Sequence, residues 1–436
     1  MSASSRKSAP AFVLESLGCK VNQAEAASLA GQLEASGWRR AQGDESAQLA
    51  VLMTCAVTGV AARQSRQAAR RLARTHPGAR VVITGCDVQA EAEAYRREGL
   101  TVLGRARLLE LAERAAWDQW PDGEGPGRPD AGPWCPGVRP PGQGRSRALL
   151  KVQDGCDAGC AYCIVPQTRG RPRSLPLDDA CRYLAELGQA GSREVVLTGV
   201  HLGRYGRDLT PRRDLTELVR ALLDAHPGPR LRLSSLEVNE ITPGLEELLA
   251  SEPRLCRHLH IPLQSGSDRV LVAMGRPYRA ERFARTVTRL SERIPGLCLG
   301  ADVLVGLPGE DQDAFQETLE LIRDLPLSYL HVFPFSPRPG TRAADMPGRP
   351  DPSEVRRRAE LLRRLGRDKQ TAFYAGQVGR RLQAVVEGQG RARSDNYCLV
   401  NLEGGHPPAG ELVEVEVTAC QEAPGAAPLL RGRVIS

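Results

Sequence analysis

The chain has 436 residues and is 41% hydrophobic, enough for roughly two to four domains with sizeable cores. Its formal net charge is +7, and arginine carries nearly all of the positive charge, since lysine occurs only at Lys7, Lys20, Lys151 and Lys369. This balance permits an anionic partner such as nucleic acid, and the lack of any long apolar run excludes a transmembrane helix.

The opening residues, MSASSRKSAPAFVLESLG, hold no apolar core of signal-peptide length, so a cytoplasmic protein with no membrane partner is expected. Residues 12–17 read as a strand and 22–37 as a helix, 47–53 and 61–75 repeat the pair, and 79–84 add a third strand. This alternation predicts an α/β fold with a doubly wound parallel sheet in a domain over 10–116. Residues 117–147 are a Pro/Gly-rich linker that includes Cys135. In a second domain, 148–369, strands recur at 192–200, 230–237, 258–264, 297–306 and 327–335 with helices between them. That pattern predicts a complete or partial (β/α) barrel with its site at the C-terminal ends of the strands. An arginine-rich helix at 353–369 carries Val355, Ala359, Leu362 and Leu365 along one side. Residues 370–436 alternate in short stretches between Gly/Pro turns, which predicts a small all-β barrel of a kind that often binds oligonucleotides.

The twelve cysteines, in a reducing compartment, point to metal or cluster binding rather than disulfides. Cys19, Cys55 and Cys86 follow the first, second and third strands. In a parallel sheet those loops share one edge, where such folds bind ligands, so the topology gathers three distant thiols. Three small buried core cysteines are the alternative. Cys156, Cys160 and Cys163 are spaced CxxxCxxC within KVQDGCDAGCAYCIVPQTRG. A closed structural zinc site takes four ligands, whereas an iron–sulfur cubane on three cysteines keeps one iron open for a cofactor. Zinc with a distant fourth ligand is the alternative.

CDAGCAYC, with an aromatic before its last cysteine, resembles the cluster motif of radical S-adenosylmethionine (SAM) enzymes. A three-cysteine domain, a radical SAM domain and a TRAM-type β-barrel, in that order, resemble the methylthiotransferases of that superfamily over nearly the whole chain. LGCKVNQAE at 17–25 is similar to the branch that methylthiolates N6-threonylcarbamoyladenosine in tRNA. The isopentenyladenosine branch carries GCQMN there, and the branch acting on a ribosomal-protein aspartate has an acidic run after its cysteine.

The resemblance implies two 4Fe–4S clusters, one on Cys156, Cys160 and Cys163 and an auxiliary one on Cys19, Cys55 and Cys86. It implies S-adenosylmethionine as cofactor, the tRNA anticodon loop as substrate, a flavodoxin- or ferredoxin-type reductant and a sulfur donor. A monomer is expected. A non-catalytic, metal-stabilised RNA-binding protein is the alternative from another class.

The resemblance also marks Thr198 and Gly199 in TGV, Glu237 in SSLE and Gln264 in PLQSGSD as cofactor-binding positions; an ordinary turn, a buried carboxylate and a helix cap are the plainer explanations. Arg63, Arg66, Arg70 and Arg74 recur at helical spacing, as either a solvated face or a tRNA phosphate track. Arg169, Arg171 and Arg173 crowd behind the cluster loop and are expected to meet substrate or cofactor. His258 and His260 share a strand face, where a metal pair is conceivable. Met53 stands where the family usually has an asparagine close to the second cysteine, so support for the auxiliary cluster is expected to differ.

Overall fold

The computed structural model describes residues 9–43, 45–113, 126–129, 134, 146–405, 407–422 and 427–435. Cys135 and most of the linker lie outside the described residues.

The N-terminal domain is a five-stranded parallel sheet in the order Arg39–Arg40, Ala11–Ser16, Leu49–Thr54, Arg80–Gly85, Thr101–Val102. Side chains alternate across a strand, so Leu49 and Val51 bury on one face while Ala50 and Leu52 bury on the other. Leu29 and Leu33 of the helix Lys20–Ala35 cover the first face. Ala68, Ala69 and Leu72 of the helix Gly59–Thr75 and Val88 and Tyr95 of Cys86–Arg96 cover the second. The sequence pattern shows the three central strands. The two edge strands have two residues each, too short for any periodicity to register.

The central domain is an arc of six parallel strands in chain order. Ala148–Lys151, Glu194–Thr198 and Arg230–Leu233 form one set, and His258–His260, Cys298–Val305 and Tyr329–Pro334 form the other. A bridge between Leu231 and Leu255 and the bond from Leu236 N–H to the His260 carbonyl (2.9 Å) join the sets. Helices pack outside the arc over one continuous apolar core.

The arginine-rich helix runs longer than its sequence pattern, Pro352–Ala375. Ala359 and Leu362 are buried, and Val355 and Leu365 pack against the central core. It leads into a closed five-stranded barrel ordered Arg381–Gly388, Arg391–Ser394, Leu399–Glu403, Leu429–Val434, Leu412–Gln421. Buried ion pairs dock this barrel. Glu194 accepts from Arg230 and Arg232 (both 2.7 Å), whose remaining N–H groups reach carbonyls of Gln383, Arg393, Ser394 and Asp395 at 2.8–3.0 Å. A buried carboxylate thereby orients two guanidinium groups that would otherwise be costly to desolvate.

Candidate active site

Both cysteine triads open onto one cavity of about 400 Å³ at the C-terminal edges of the two parallel sheets. In the central domain, Gly155 turns the chain with φ +71°, where a Cβ would lie 2.0 Å from the Arg171 carbonyl oxygen. Only glycine fits such an approach. The Cys156 N–H then donates to the Gly170 carbonyl (3.0 Å), and Ala161 N–H to the Met274 carbonyl (2.9 Å), which pins the loop at both ends.

Two cations face its sulfurs. Arg276 Nη1 donates to Cys160 Sγ (3.1 Å), and His201 Nδ1 lies 3.3 Å from Cys156 Sγ. Burial pushes the Cys163 thiol up to about 12, and binding a metal would displace that proton. The other ring nitrogen of His201, Nε2, lies 2.8 Å from Glu240, which orients the ring toward the loop.

Two cysteines of the N-terminal triad sit at helix starts. Cys19 caps the helix Lys20–Ala35 and Cys86 begins the helix Cys86–Arg96, where free backbone N–H groups favour anionic sulfur. Asn22 Nδ2 donates to the carbonyls of Leu17 and Thr54 (both 2.8 Å), tying the first cysteine loop to the second. Gly18, at φ +90°, lets that loop press on Cys55; a Cβ there would lie 2.6 Å from its Sγ. Thr54 Oγ1 donates to the Thr84 carbonyl (2.7 Å) and accepts from Asp87 N–H (3.2 Å), which ties in the third loop. Burial pushes the Cys55 thiol to about 12. Cys19 is accessible from the open cavity yet lies deep in the protein, and burial raises its thiol too.

Met53 is buried beside Glu25, Leu29 and Thr84 around a separate small void, and it does not line the cavity. Asn22, one turn into the first helix, is the asparagine that braces the cysteine loops.

Thr198, Gly199, Glu237 and Gln264 all line the same cavity. Gly199 lies against Gln153, where a Cβ would come within 2.9 Å of the Gln153 Cβ. Gln153 is fully buried, accepts from His201 N–H (2.7 Å) and donates to the Asp154 and Gly155 carbonyls (2.9 and 2.8 Å), so it couples this turn to the cluster loop. Glu237 forms a close ion pair with Arg276 Nη2. Gln264 sits at φ +65°, a conformation that costs free energy outside glycine and concentrates at functional sites. It is held by its backbone bonds to Asp302 and Leu304 (both 2.9 Å). Arg276, His201, Gln153 and Asn22 carry no local sequence signal, since their partners lie up to 147 residues away.

The arginines divide. Arg169 lines the cavity but is only 3% exposed, so it cannot serve as a surface RNA contact. It donates to Glu25 (2.9 and 3.1 Å), Asp154 (3.0 Å) and Asn22. Lys151 joins the same carboxylates at 2.9 and 3.1 Å, and Arg105 approaches Glu25 at 3.3 Å. This buried network fastens the two parallel-sheet domains across the cavity. Burial would raise the Glu25 carboxyl, but Arg169, Lys151 and Arg105 bring it down to about 2. Arg66 pairs with Asp87 (3.4 Å) and Arg70 with Glu98 (2.6 Å), so the helical stripe is partly neutralised. Arg63, Arg74 and Arg171 are exposed. His258 and His260 do not turn toward a common metal; their Nε2 and Nδ1 atoms share the Tyr329 hydroxyl at 2.8 and 3.0 Å.

The Radical SAM superfamily profile matches residues 150–322, and the profile described as "Uncharacterized protein family UPF0004" matches residues 11–103. The chain is 33% identical to the threonylcarbamoyladenosine tRNA methylthiotransferase MtaB of Aquifex aeolicus, covering 92% of this chain and 98% of that protein. The chain belongs to the radical SAM methylthiotransferases.

A second relative in this family, the tRNA-2-methylthio-N(6)-dimethylallyladenosine synthase of Zymomonas mobilis, is 35% identical over 95% of both chains. Overall identity therefore does not separate the two substrates. The radical SAM methyltransferase TsrM of Kitasatospora setae shares the fold at TM-score 0.57 with 16% identity, over 77% of each chain. As a radical SAM methylthiotransferase, the protein calls for a 4Fe–4S cluster and S-adenosylmethionine, and the donor set fits. Cys156, Cys160 and Cys163 would hold the cluster through three thiolates with no fourth cysteine in that loop, beside the cations Arg276 and His201. Among the described residues, no helix is long and apolar enough to cross a membrane.

Proposed function

We propose that this protein converts N6-threonylcarbamoyladenosine in the tRNA anticodon loop to its 2-methylthio derivative, using two 4Fe–4S clusters. The observation that supports this most is the meeting of two separate cysteine triads in one cavity. When bound, the clusters and S-adenosylmethionine supply one-electron chemistry and the transferred sulfur.

The chain's own residues position and enclose. Gly199 and Gln153 shape the strand-end turn beside the radical cluster, leaving room for the cofactor's methionine end. Glu237 is fixed by Arg276, which also faces Cys160. Asn22, Thr54 and Gly18 hold the auxiliary loops together. The buried Glu25–Arg169–Lys151–Asp154 network fixes one triad against the other, as a reactive intermediate requires. A flavodoxin- or ferredoxin-type reductant and a sulfur donor complete the scheme, and the protein acts as a monomer in the cytoplasm. The exposed Arg63, Arg74 and Arg171 are the remaining candidates for tRNA phosphate contact.

Mass spectrometry of nucleosides from tRNA of cells with and without the gene tests this reading. Loss of 2-methylthio-N6-threonylcarbamoyladenosine is expected. Loss of the 2-methylthio dimethylallyl nucleoside instead would keep the chemistry and overturn the substrate.

A further inference from the structure

A second chamber of about 160 Å³ adjoins the cavity of the cysteine triads and shares Lys20, Ser234, Ser235 and Asp302 with it. All three domains contribute: Lys20 from the first, His258, His260, Tyr329 and His331 from the central strands and Tyr397 from the β-barrel. Val196 and Leu233 are its only aliphatic lining residues. A prenyl group would gain little on entering such a wall and would strand polar groups.

The charges in the chamber are mostly committed. Arg232 is taken by Glu194 and by carbonyls of Ser394 and Asp395. Asp302 is paired with His260 (2.8 Å) and His331 (3.4 Å). Tyr329 is held between His258 and His260.

Lys20, Ser234 and His258 are among its uncommitted groups. Lys20 lines both spaces, is exposed to them, and has no carboxylate partner among the described residues. Ser234 Oγ and His258 Nδ1 are buried without hydrogen-bond partners, on residues only 8% and 5% exposed. Native proteins rarely leave such buried polar atoms without a partner.

We propose that this chamber receives the N6 substituent of the target adenosine, with the Lys20 ammonium taking its carboxylate and Ser234 and His258 taking its neutral polar atoms. The assignment rests on the substrate proposed above, whose threonyl carboxylate is the anion the chamber lacks. The sulfur-accepting base would then lie in the shared wall, with Lys20 next to the cluster ligand Cys19. Lys20 is thus a specificity-determining residue: it selects an acidic substituent over an apolar one.

The test uses the full-length holoenzyme and three synthetic anticodon stem-loops. One carries threonylcarbamoyladenosine, one its carboxamide analogue and one the dimethylallyl nucleoside. The wild type should bind the acid about tenfold or more tighter than the amide, as a charge-assisted bond implies. K20Q should abolish that difference by weakening the acid alone, and K20R should keep most of it. Equal wild-type binding of acid and amide, or an equal loss for both in K20Q, would overturn the assignment. Iron content is checked in each variant. If K20Q loses iron, S234A decides: weaker binding of both the acid and amide stem-loops, but not of unmodified adenosine, supports the chamber, and unchanged binding overturns it. Methylthiolation of the threonylcarbamoyl stem-loop without an acid preference would sink this inference alone. Turnover of only the dimethylallyl stem-loop would instead sink the substrate proposal.

Discussion

Replacing Arg169 with methionine should cost the folded protein about 3 kcal/mol. The change keeps the length of the side chain and removes a guanidinium bonded to Glu25 at 2.9 and 3.1 Å and to Asp154 at 3.0 Å, all buried. Breaking a buried ion pair from one side costs about 3–5 kcal/mol, because the partner's charge stays desolvated. Lys151 and Arg105 remain, which places the expectation at the lower end. Glu25 is held at about 2 instead of its ordinary 4.5, and Arg169 is the strongest of the three cations that overcome its burial. Heat denaturation at neutral pH should show the midpoint falling by roughly 5–10 °C. A double-mutant cycle with Glu25→Gln sharpens the test: the pair should lose no more than R169M alone, because the stranded carboxylate has gone. Wild-type stability in R169M, or additive losses in the pair, would refute the network as the fastening between the domains.

Gly18→Ala should displace the first loop from Cys55 and cost the auxiliary iron while leaving the radical cluster in place; iron analysis together with S-adenosylmethionine cleavage checks this, and full iron content would contradict it. Glu194→Ala leaves Arg230 and Arg232 buried without their carboxylate and should loosen the barrel by about 3–5 kcal/mol; trypsin should then cut faster near Arg380 and Arg381, and an unchanged digestion rate would count against this docking. The lowered Glu25 carboxyl contributes stability above its ordinary value and loses it as pH falls from 4.5 toward about 2. Acid unfolding of cluster-free protein should therefore be shallower over that range in Glu25→Gln, as followed by circular dichroism.

Much of this site is legible because chain topology does the assembling. Cys19, Cys55 and Cys86 each follow a parallel strand, so their gathering at one edge follows from the βα repeat alone. Cys156, Cys160 and Cys163 are local, and Thr198, Gly199, Glu237 and Gln264 lie at or beyond strand ends facing the same space. The illegible residues act across long separations. Arg276 reaches Cys160 from a turn after a short helix, and Gln153 links two loops from a two-residue strand. The sequence groups Arg169 with Arg171 and Arg173 as expected contacts for substrate or cofactor; the fold turns Arg169 inward onto Glu25, 144 residues earlier. Met53 lies away from the cavity, around a separate small void, and Asn22 braces the cysteine loops.

The central claim is that two clusters share one cavity, each on its own triad. Iron analysis and electron paramagnetic resonance of the anaerobically reconstituted protein test it most directly, on the wild type and on one triple-alanine variant for each triad. The account predicts about eight irons per chain, about four in either variant, and a S-adenosylmethionine-induced spectral change that survives loss of Cys19, Cys55 and Cys86 but not loss of Cys156, Cys160 and Cys163. About four irons in the wild type, or zinc in place of iron, would contradict it.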